Sequence, residues 1–356
     1  MSLPTKLFET EHFSTWRQLE VVDSHTCGQP TRVILGGAGI APGMTPRDAQ
    51  SYLEDSAPWV RRAAILEPRG HRSMFGAAAI APPASQPWGV VFMDANGYPE
   101  MCGHATIGIA TTLCELGLVQ PSGDHDGQNG SFSFGLESPA GRLNLEAVIV
   151  NGRCESVSFQ TPLAHFVGSV DITLDTGVFA QVDVAYGGQY YAFIPSVAAG
   201  LDIVPDSIDG LISAAMSVRD ELARQFSITD KSTGKVPEIG NILWTQESHS
   251  KDADARNVPI SKAGSFDRSP CGTATCARMA VLVAKGKLSV GETFVNESIL
   301  GTLYRGHVTA MHPHVPNGII PRVSGSAWLT ARSCLFVDPR DPLGAGYLVG
   351  GGVAVL

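Results

Sequence analysis

Two apolar segments of the chain share one outline. "CGHATIGIATTLCELG", from Cys102, and "CGTATCARMAVLVAKG", from Cys271, each predict a helix of about four turns, amphipathic or wholly buried. Each ends on a glycine, Gly117 or Gly286, where a left-handed C-terminal cap would fall. Ahead of the first lies "PWGVVFMDANGYPEM", a strand-like run followed by Asn96-Gly97 and Pro99; ahead of the second, "AGSFDRSP" is rich in turn formers and sets Pro270 beside Cys271. Both helices are therefore entered from a tight loop, with a cysteine at the entrance.

The remaining pattern mixes strands and helices. "TPRDAQSYLEDSAPWVRRAAIL" (45–66) and "DSIDGLISAAMSVRDELARQF" (206–226) predict one helix each, while "RLNLEAVIVNGRCESVSFQT" (142–161) alternates like a hairpin turning at Asn151-Gly152. The two Cys-Gly-x-Ala-Thr segments start 169 residues apart, close to half of the 356-residue chain, which predicts two similar lobes rather than a short-period solenoid. The expected division is a first lobe over 1–165 carrying Cys102 and a second over 166–334 carrying Cys271. "TPLAHFVGSVDITL" (161–174) is the crossing, and a segment from about 335 to 356 is free to return to the first lobe.

Composition narrows the function classes. The chain is 44% hydrophobic and 17% charged, the balance of a folded globular protein. A net charge of -9 offers no basic field for phosphates, so nucleic acid and anionic membranes are not expected partners. No stretch reaches the roughly 20 apolar residues of a membrane span, and "MSLPTKLFET" has no apolar secretory segment, so a cytoplasmic location is expected. The expected partner is a small-molecule substrate, with a homodimer left open. Seven cysteines, without paired Cys-x-x-Cys spacing, suggest reduced thiols rather than a disulfide framework or zinc ribbon.

The chemistry follows from where Cys102 and Cys271 sit. A helix N-terminus favours a thiolate and attracts a carboxylate through its unpaired N–H groups. Two such termini facing each other would clamp a small carboxylate-bearing molecule and set one sulfur on either side of it. That geometry suits proton exchange at the carbon next to the carboxylate: one thiolate removes a proton from one face and the opposite thiol returns one from the other. N–H donors from Gly103, His104, Gly272 and Thr273 would meet the charge that develops, and glycine at 103 and 272 would let the backbone approach the ligand.

At these residues the chain resembles the proline racemase family. The likeness extends through "VVDSHTCGQPTRVILGG", "EPRGHRSMFGA", "FMDANGYPEMCGHATIG", "DRSPCGTATCARMA" and "ESILGTLYRG". It implies an α/β (α+β) fold of diaminopimelate-epimerase type, two lobes each wrapping strands around a central helix, with the site in the cleft between them. It also implies Cys102 and Cys271 as alternating proton donor and acceptor, with neither pyridoxal phosphate nor metal. By the same resemblance, His104 and Asp267 match positions that contact the substrate nitrogen, and Gly103, Gly272 and Thr273 match the carboxylate cradle. Cysteine at both positions is the pattern of proline racemases and hydroxyproline 2-epimerases, whereas a threonine at the second is typical of trans-3-hydroxyproline dehydratases. Ala105 and Ala274 stand where the family commonly has glycine, and Cys276 where it commonly has serine. "RGHRSMFG" is nearer to racemases and dehydratases than to many epimerases.

The rival readings are a dehydratase of the same fold, a non-catalytic imino-acid binding protein, and a thiol-redox protein. His71 and "HPH" at 312–314 read as packing and loop, the glycine runs lack a dinucleotide fingerprint, and Cys27, Cys114, Cys154, Cys276 and Cys334 read as structural.

Overall fold

The computed structural model describes residues 13–83, 86–121, 128–174, 177–225 and 228–349. The chain opens with β1 (Arg17–Thr26) and β2 (Gln29–Gly36), then α1 (Pro46–Asp55), α2 (Trp59–Ile65), β3 (Phe75–Ile80) and β4 (Trp88–Met93). The first Cys-Gly helix, α3 (Gly103–Glu115), precedes β5 (Gly130–Ser138), β6 (Gly141–Val150) and β7 (Arg153–Gln160). The pattern resumes with β8 (Ala164–Thr173), β9 (Phe179–Tyr186), β10 (Tyr190–Pro195), α4 (Ile208–Gln225), β11 (Ile239–Gln246) and β12 (Ala255–Ser261). The second Cys-Gly helix, α5 (Gly272–Ala284), leads to β13 (Thr293–Glu297), β14 (Leu303–Met311), β15 (Gly318–Gly325) and β16 (Ala327–Val337).

Two lobes result. In one, β1, β2, β3, β6, β7 and β16 pack around α3; in the other, β8, β9, β10, β14 and β15 pack around α5. Strand β15 serves both, pairing over Gly318–Ile319 with β8 and over Arg322–Gly325 with β7. It also pairs with β14, which closes the strands of the second lobe around their helix. The chain then returns through β16, which pairs along the length of β1.

The central helices are enclosed by sheet and carry small and apolar side chains for most of their length. Every residue of α3 from Gly103 to Leu113 is buried. Their C-termini match: Gly117 and Gly286 have φ of 68° and 67°. Leu118 N–H reaches Leu113 O at 2.9 Å and Lys287 N–H reaches Leu282 O at 2.8 Å, with Gly117 and Gly286 bonding Cys114 O and Val283 O. Both helices thus end in the same Schellman cap, which is what the common glycine spacing encodes.

Two expected elements differ in detail. The helix expected over 45–66 is two helices, because Pro58 follows a turn in which Tyr52 O takes the N–H of both Ser56 and Ala57. Thr45 caps the first, accepting from Asp48 N–H at 3.2 Å, with Pro46 in its first turn. The helix expected over 206–226 begins as a 3₁₀ turn over Pro205–Ser207, and Phe226 lies outside the described residues. The 142–161 hairpin forms as read, with Asn151 and Gly152 at φ of 51° and 74°.

One buried ion pair braces the second lobe beside α5. Arg256 on β12 grips Glu297 on β13 through two hydrogen bonds of 2.7 and 3.0 Å and donates a third to Ile203 O at 2.8 Å. Burial raises the Glu297 carboxyl, but hydrogen bonds from Arg256, Ser248 and His249 outweigh it and hold the group at about 2. With the folded value depressed, this stabilisation is present above the unfolded carboxylate value of about 4.3 and disappears as pH falls toward 2. Glu297→Gln leaves the guanidinium buried without its counter-charge, and the expected loss is about 3–5 kcal/mol by urea denaturation at pH 7. The urea midpoint should also fall less between pH 5 and pH 2 than in the wild type. A variant as stable as the wild type would contradict this.

Candidate active site

Cys102 and Cys271 are the residues immediately before α3 and α5. Below each, the same hydroxyl fixes the first turn: Thr106 Oγ1 donates to Cys102 O at 2.8 Å and Thr275 Oγ1 to Cys271 O at 2.7 Å. This accounts for the Ala-Thr half of the repeated motif. The two helix starts meet. A Cβ placed on Gly103 would lie 3.3 Å from Gly272 Cα and 3.1 Å from Phe159 Cζ, and one on Gly272 would lie 3.4 Å from Gly103 Cα and 2.8 Å from the same ring atom. The glycines are therefore required first by the contact between the helices and by Phe159 beneath it, rather than by ligand approach alone.

All seven residues singled out in the sequence line one cavity of about 810 Å³: Cys102, Gly103 and His104 from the first lobe, and Asp267, Cys271, Gly272 and Thr273 from the second. His104 is buried, its carbonyl accepting from Thr26 Oγ1 at 2.8 Å and its ring meeting Phe75 edge-on at 4.5 Å. Its Nδ1 stands 3.3 Å from Cys102 Sγ and 3.9 Å from Asp267 Oδ2, so the imidazole lies against both a thiol and a carboxylate. Asp267 Oδ1 accepts Ser269 N–H at 2.8 Å, and the next residue is tied across the cleft, Arg268 N–H donating to Gln29 Oε1 at 2.9 Å.

The two cysteines enter their helices differently. Cys102 is extended, with φ of -146° and ψ of 117°, whereas Cys271 has φ of 63° and ψ of 116°, a conformation that costs a residue with a side chain about 1–3 kcal/mol. The surroundings hold it there. Ser269 Oγ accepts Cys271 N–H at 3.1 Å, and the preceding Pro270 carbonyl accepts from Asn257 Nδ2 at 3.0 Å and Asn296 Nδ2 at 3.3 Å. Asn257, Asn296, Thr275 and Phe159 are thus site-forming residues that the sequence alone did not reveal.

Electrostatics corrects one expectation. The helix termini were expected to favour thiolates, but burial pushes the Cys271 thiol up to about 12, with Asp267 adding to the rise and the Ala274 N–H and the hydroxyls of Tyr191 and Thr273 opposing it. Burial likewise raises Cys102 well above its usual value, and the Ala105 N–H only partly offsets it. His104 is lowered by burial against the pull of Asp267, so its imidazole is neutral at pH 7. Desolvation outweighs the first-turn N–H group at both sulfurs.

The other candidates fall elsewhere. His71 Nδ1 accepts Ser73 N–H in a turn, and His312 Nδ1 accepts the N–H of His314 and Val315 in a loop. Among the described residues no metal-ligating cluster occurs, and no helix is long and apolar enough to cross a membrane. All seven cysteines are free; Cys27, Cys154 and Cys276 are buried, and Cys114 and Cys334 half-buried.

Residues 21–348 match the family described as proline racemase. The chain belongs to the proline racemase family. A proline racemase of Clostridioides difficile is 34% identical to it over 336 residues, covering 94% of this chain and 98% of that protein. A trans-3-hydroxy-L-proline dehydratase of Bacillus cereus is 34% identical over 335 residues, covering 92% and 97%. In fold, a hydroxyproline epimerase from Agrobacterium vitis, solved with bound trans-4-OH-L-proline, aligns with a TM-score of 0.78 and 24% identity over 94% of this chain and 96% of that one. Within the proline racemase family the chain is an enzyme, an isomerase.

The helix contact yields a direct check. Gly272→Ala must displace Phe159, and overpacking of this kind costs about 1–3 kcal/mol. Urea denaturation should show that loss for Gly272→Ala and its partial recovery in Gly272→Ala/Phe159→Leu. Full stability of the single variant would show that Phe159 does not press on the start of α5.

Proposed function

We propose that the protein inverts the α-carbon of proline or 4-hydroxyproline by proton exchange between two thiols, with no cofactor taking part. The observation that supports this reading is the meeting of the two Cys-Gly helix starts, which brings Cys102 and Cys271 to one cavity. In this reading the lobes are the 1–165 and 166–334 expected from the sequence, except that the chain already returns to the first with β16, at Ala327.

Each residue then has a task. The first-turn N–H groups of Gly103, His104, Gly272 and Thr273 precede the first intrahelical bonds, from Thr106 N–H to Cys102 O and from Thr275 N–H to Cys271 O. They are aimed to hold the substrate carboxylate and to take up the charge that grows on it as the α-proton leaves. Asp267 and His104 receive the imino-acid nitrogen. A cationic nitrogen beside Asp267 also cancels the push that this carboxylate exerts on both sulfurs, so binding itself favours a thiolate. One thiolate takes the α-proton and the opposite thiol supplies another. No electrons leave the substrate, so the reaction needs no oxidant.

Incubation in deuterium oxide with L-proline, trans-4-hydroxy-L-proline and trans-3-hydroxy-L-proline tests the reading by optical rotation and NMR. Inversion with α-deuterium uptake on either of the first two supports it. A cyclic imine from the third would assign the chain to the dehydratases, the activity named for its Bacillus cereus relative; no exchange with any of the three would end the enzyme reading for this substrate class. Cys102→Ala and Cys271→Ala should each lower inversion by roughly 10²–10⁴-fold, the usual effect of deleting an acid or base.

Asp267→Asn separates binding from ionisation. It removes a charge-assisted contact to the nitrogen and should lower kcat/KM by roughly tenfold to a hundredfold, mostly through KM. Both thiols should meanwhile react faster with iodoacetamide at pH 8. A kcat/KM that holds at the wild-type value would remove Asp267 from the site.

A further inference from the structure

The two sulfurs are not faced alike. Cys102 Sγ meets the His104 imidazole, whereas the corresponding residue after Cys271 is Thr273, and Tyr191 from β10 fills the space beyond it. Tyr191 Oη stands 2.6 Å from Thr273 Oγ1 and 3.6 Å from Cys271 Sγ, and the Gln189 amide donates to it at 2.7 Å. Thr273 Oγ1 is itself 3.8 Å from Cys271 Sγ. Tyr191 is fully buried, packed with Phe193, Leu243, Ala274 and Ala277.

The direction of the hydrogens follows from the inventory of donors. A phenol has one hydrogen, and with its oxygen accepting from Gln189 that hydrogen goes to Thr273 or to Cys271. In the first case the Thr273 hydroxyl is released to donate to the sulfur; in the second Tyr191 donates directly. A neutral imidazole beside Cys102 offers one donor and one acceptor nitrogen, so it accepts a hydrogen bond from the thiol as readily as it donates one to the sulfur. Donors aimed at a buried ionisable group favour its charged form.

We infer that Tyr191 is a positioning residue: backed by Gln189 and acting with Thr273, it aims hydroxyl donors at Cys271 Sγ alone, so that Cys271 gives up its proton more readily than Cys102 when the site first meets substrate. The inference deepens the two-thiol reading and rests on it for its catalytic meaning. The other groups facing the two sulfurs do not reverse the order. Asp267 raises both thiols, the N–H groups of Ala105 and Ala274 act alike on their own cysteines, and Cys276 and Tyr304 beside Cys271 are raised by burial and stay neutral. Burial dominates at both cysteines, but only at Cys271 do two hydroxyls oppose it.

The test is alkylation of the whole protein by iodoacetamide at pH 8, with the Cys102 and Cys271 peptides followed separately by mass spectrometry in the wild type and in Tyr191→Phe. Losing a donor to the thiolate should slow Cys271 by about three- to tenfold, after allowing for the greater nucleophilicity of a more basic sulfur, and leave Cys102 unchanged. Removing the hydroxyl also opens space beside the sulfur, so a purely steric role would speed alkylation. An unchanged or faster Cys271, or an equal slowing of both cysteines, overturns the inference. Should Tyr191→Phe fail to fold, Thr273→Val removes the relay hydroxyl and must slow Cys271 selectively; a Cys271 rate unmoved there overturns it equally. Turnover is not read, so the result stands whether or not the protein inverts proline.

Discussion

Two helices beginning in van der Waals contact, glycine against glycine over the ring of Phe159, form the constraint on which the site depends. A helix N-terminus concentrates unpaired N–H groups and partial positive charge. Bringing two together is unfavourable unless something anionic lies between them, and the residues ahead of them are the two cysteines. The same contact, with Phe159 beneath it, leaves little room for a Cβ on either glycine and brings the two cysteines to one cavity. The Thr106 and Thr275 hydroxyls, bonded back to the cysteine carbonyls, fix the first turn of each helix in the same way.

The sheets hold that contact in place. Because β15 pairs with strands of both lobes, the walls around α3 and α5 share a rail. The bond from Arg268 N–H to Gln29 adds a second tie across the cleft, next to Asp267. On the second-lobe side, the Arg256–Glu297 pair lies on the same two strands as Asn257 and Asn296, which grip the Pro270 carbonyl just ahead of the strained Cys271. Strain at Cys271 is thus supported by a buried polar network, which a solvent-exposed loop could not supply.

Much of this was legible in the sequence because the architecture is duplicated. The repeated Cys-Gly-x-Ala-Thr and its glycine fifteen residues on encode both ends of each central helix, and the seven singled-out residues do line one cavity. What stayed hidden depends on distances that no local pattern carries. Phe159 and Tyr191 each look like one more apolar position in an alternating strand, and only the register of β7 and β10 puts one beneath the helix starts and the other beside Cys271. The role of Gly103 and Gly272 was assigned to the ligand because the opposite glycine could not be seen. The pull of the first-turn N–H groups on the sulfurs is local and readable, while the desolvation that exceeds it belongs to the assembled cleft. Pro58 divides the segment that the 45–66 periodicity predicts as one helix.

The central claim is that two separate groups, one on each side of the cleft, handle the proton. The most direct measurement follows the position of the label during the first few per cent of conversion of one enantiomer in deuterium oxide. With a thiol on either face, deuterium enters the newly formed enantiomer through the opposite sulfur, and the recovered starting enantiomer keeps its original hydrogen. Equal labelling of both enantiomers from the outset would mean that a single group removes and returns the proton, and would contradict the account.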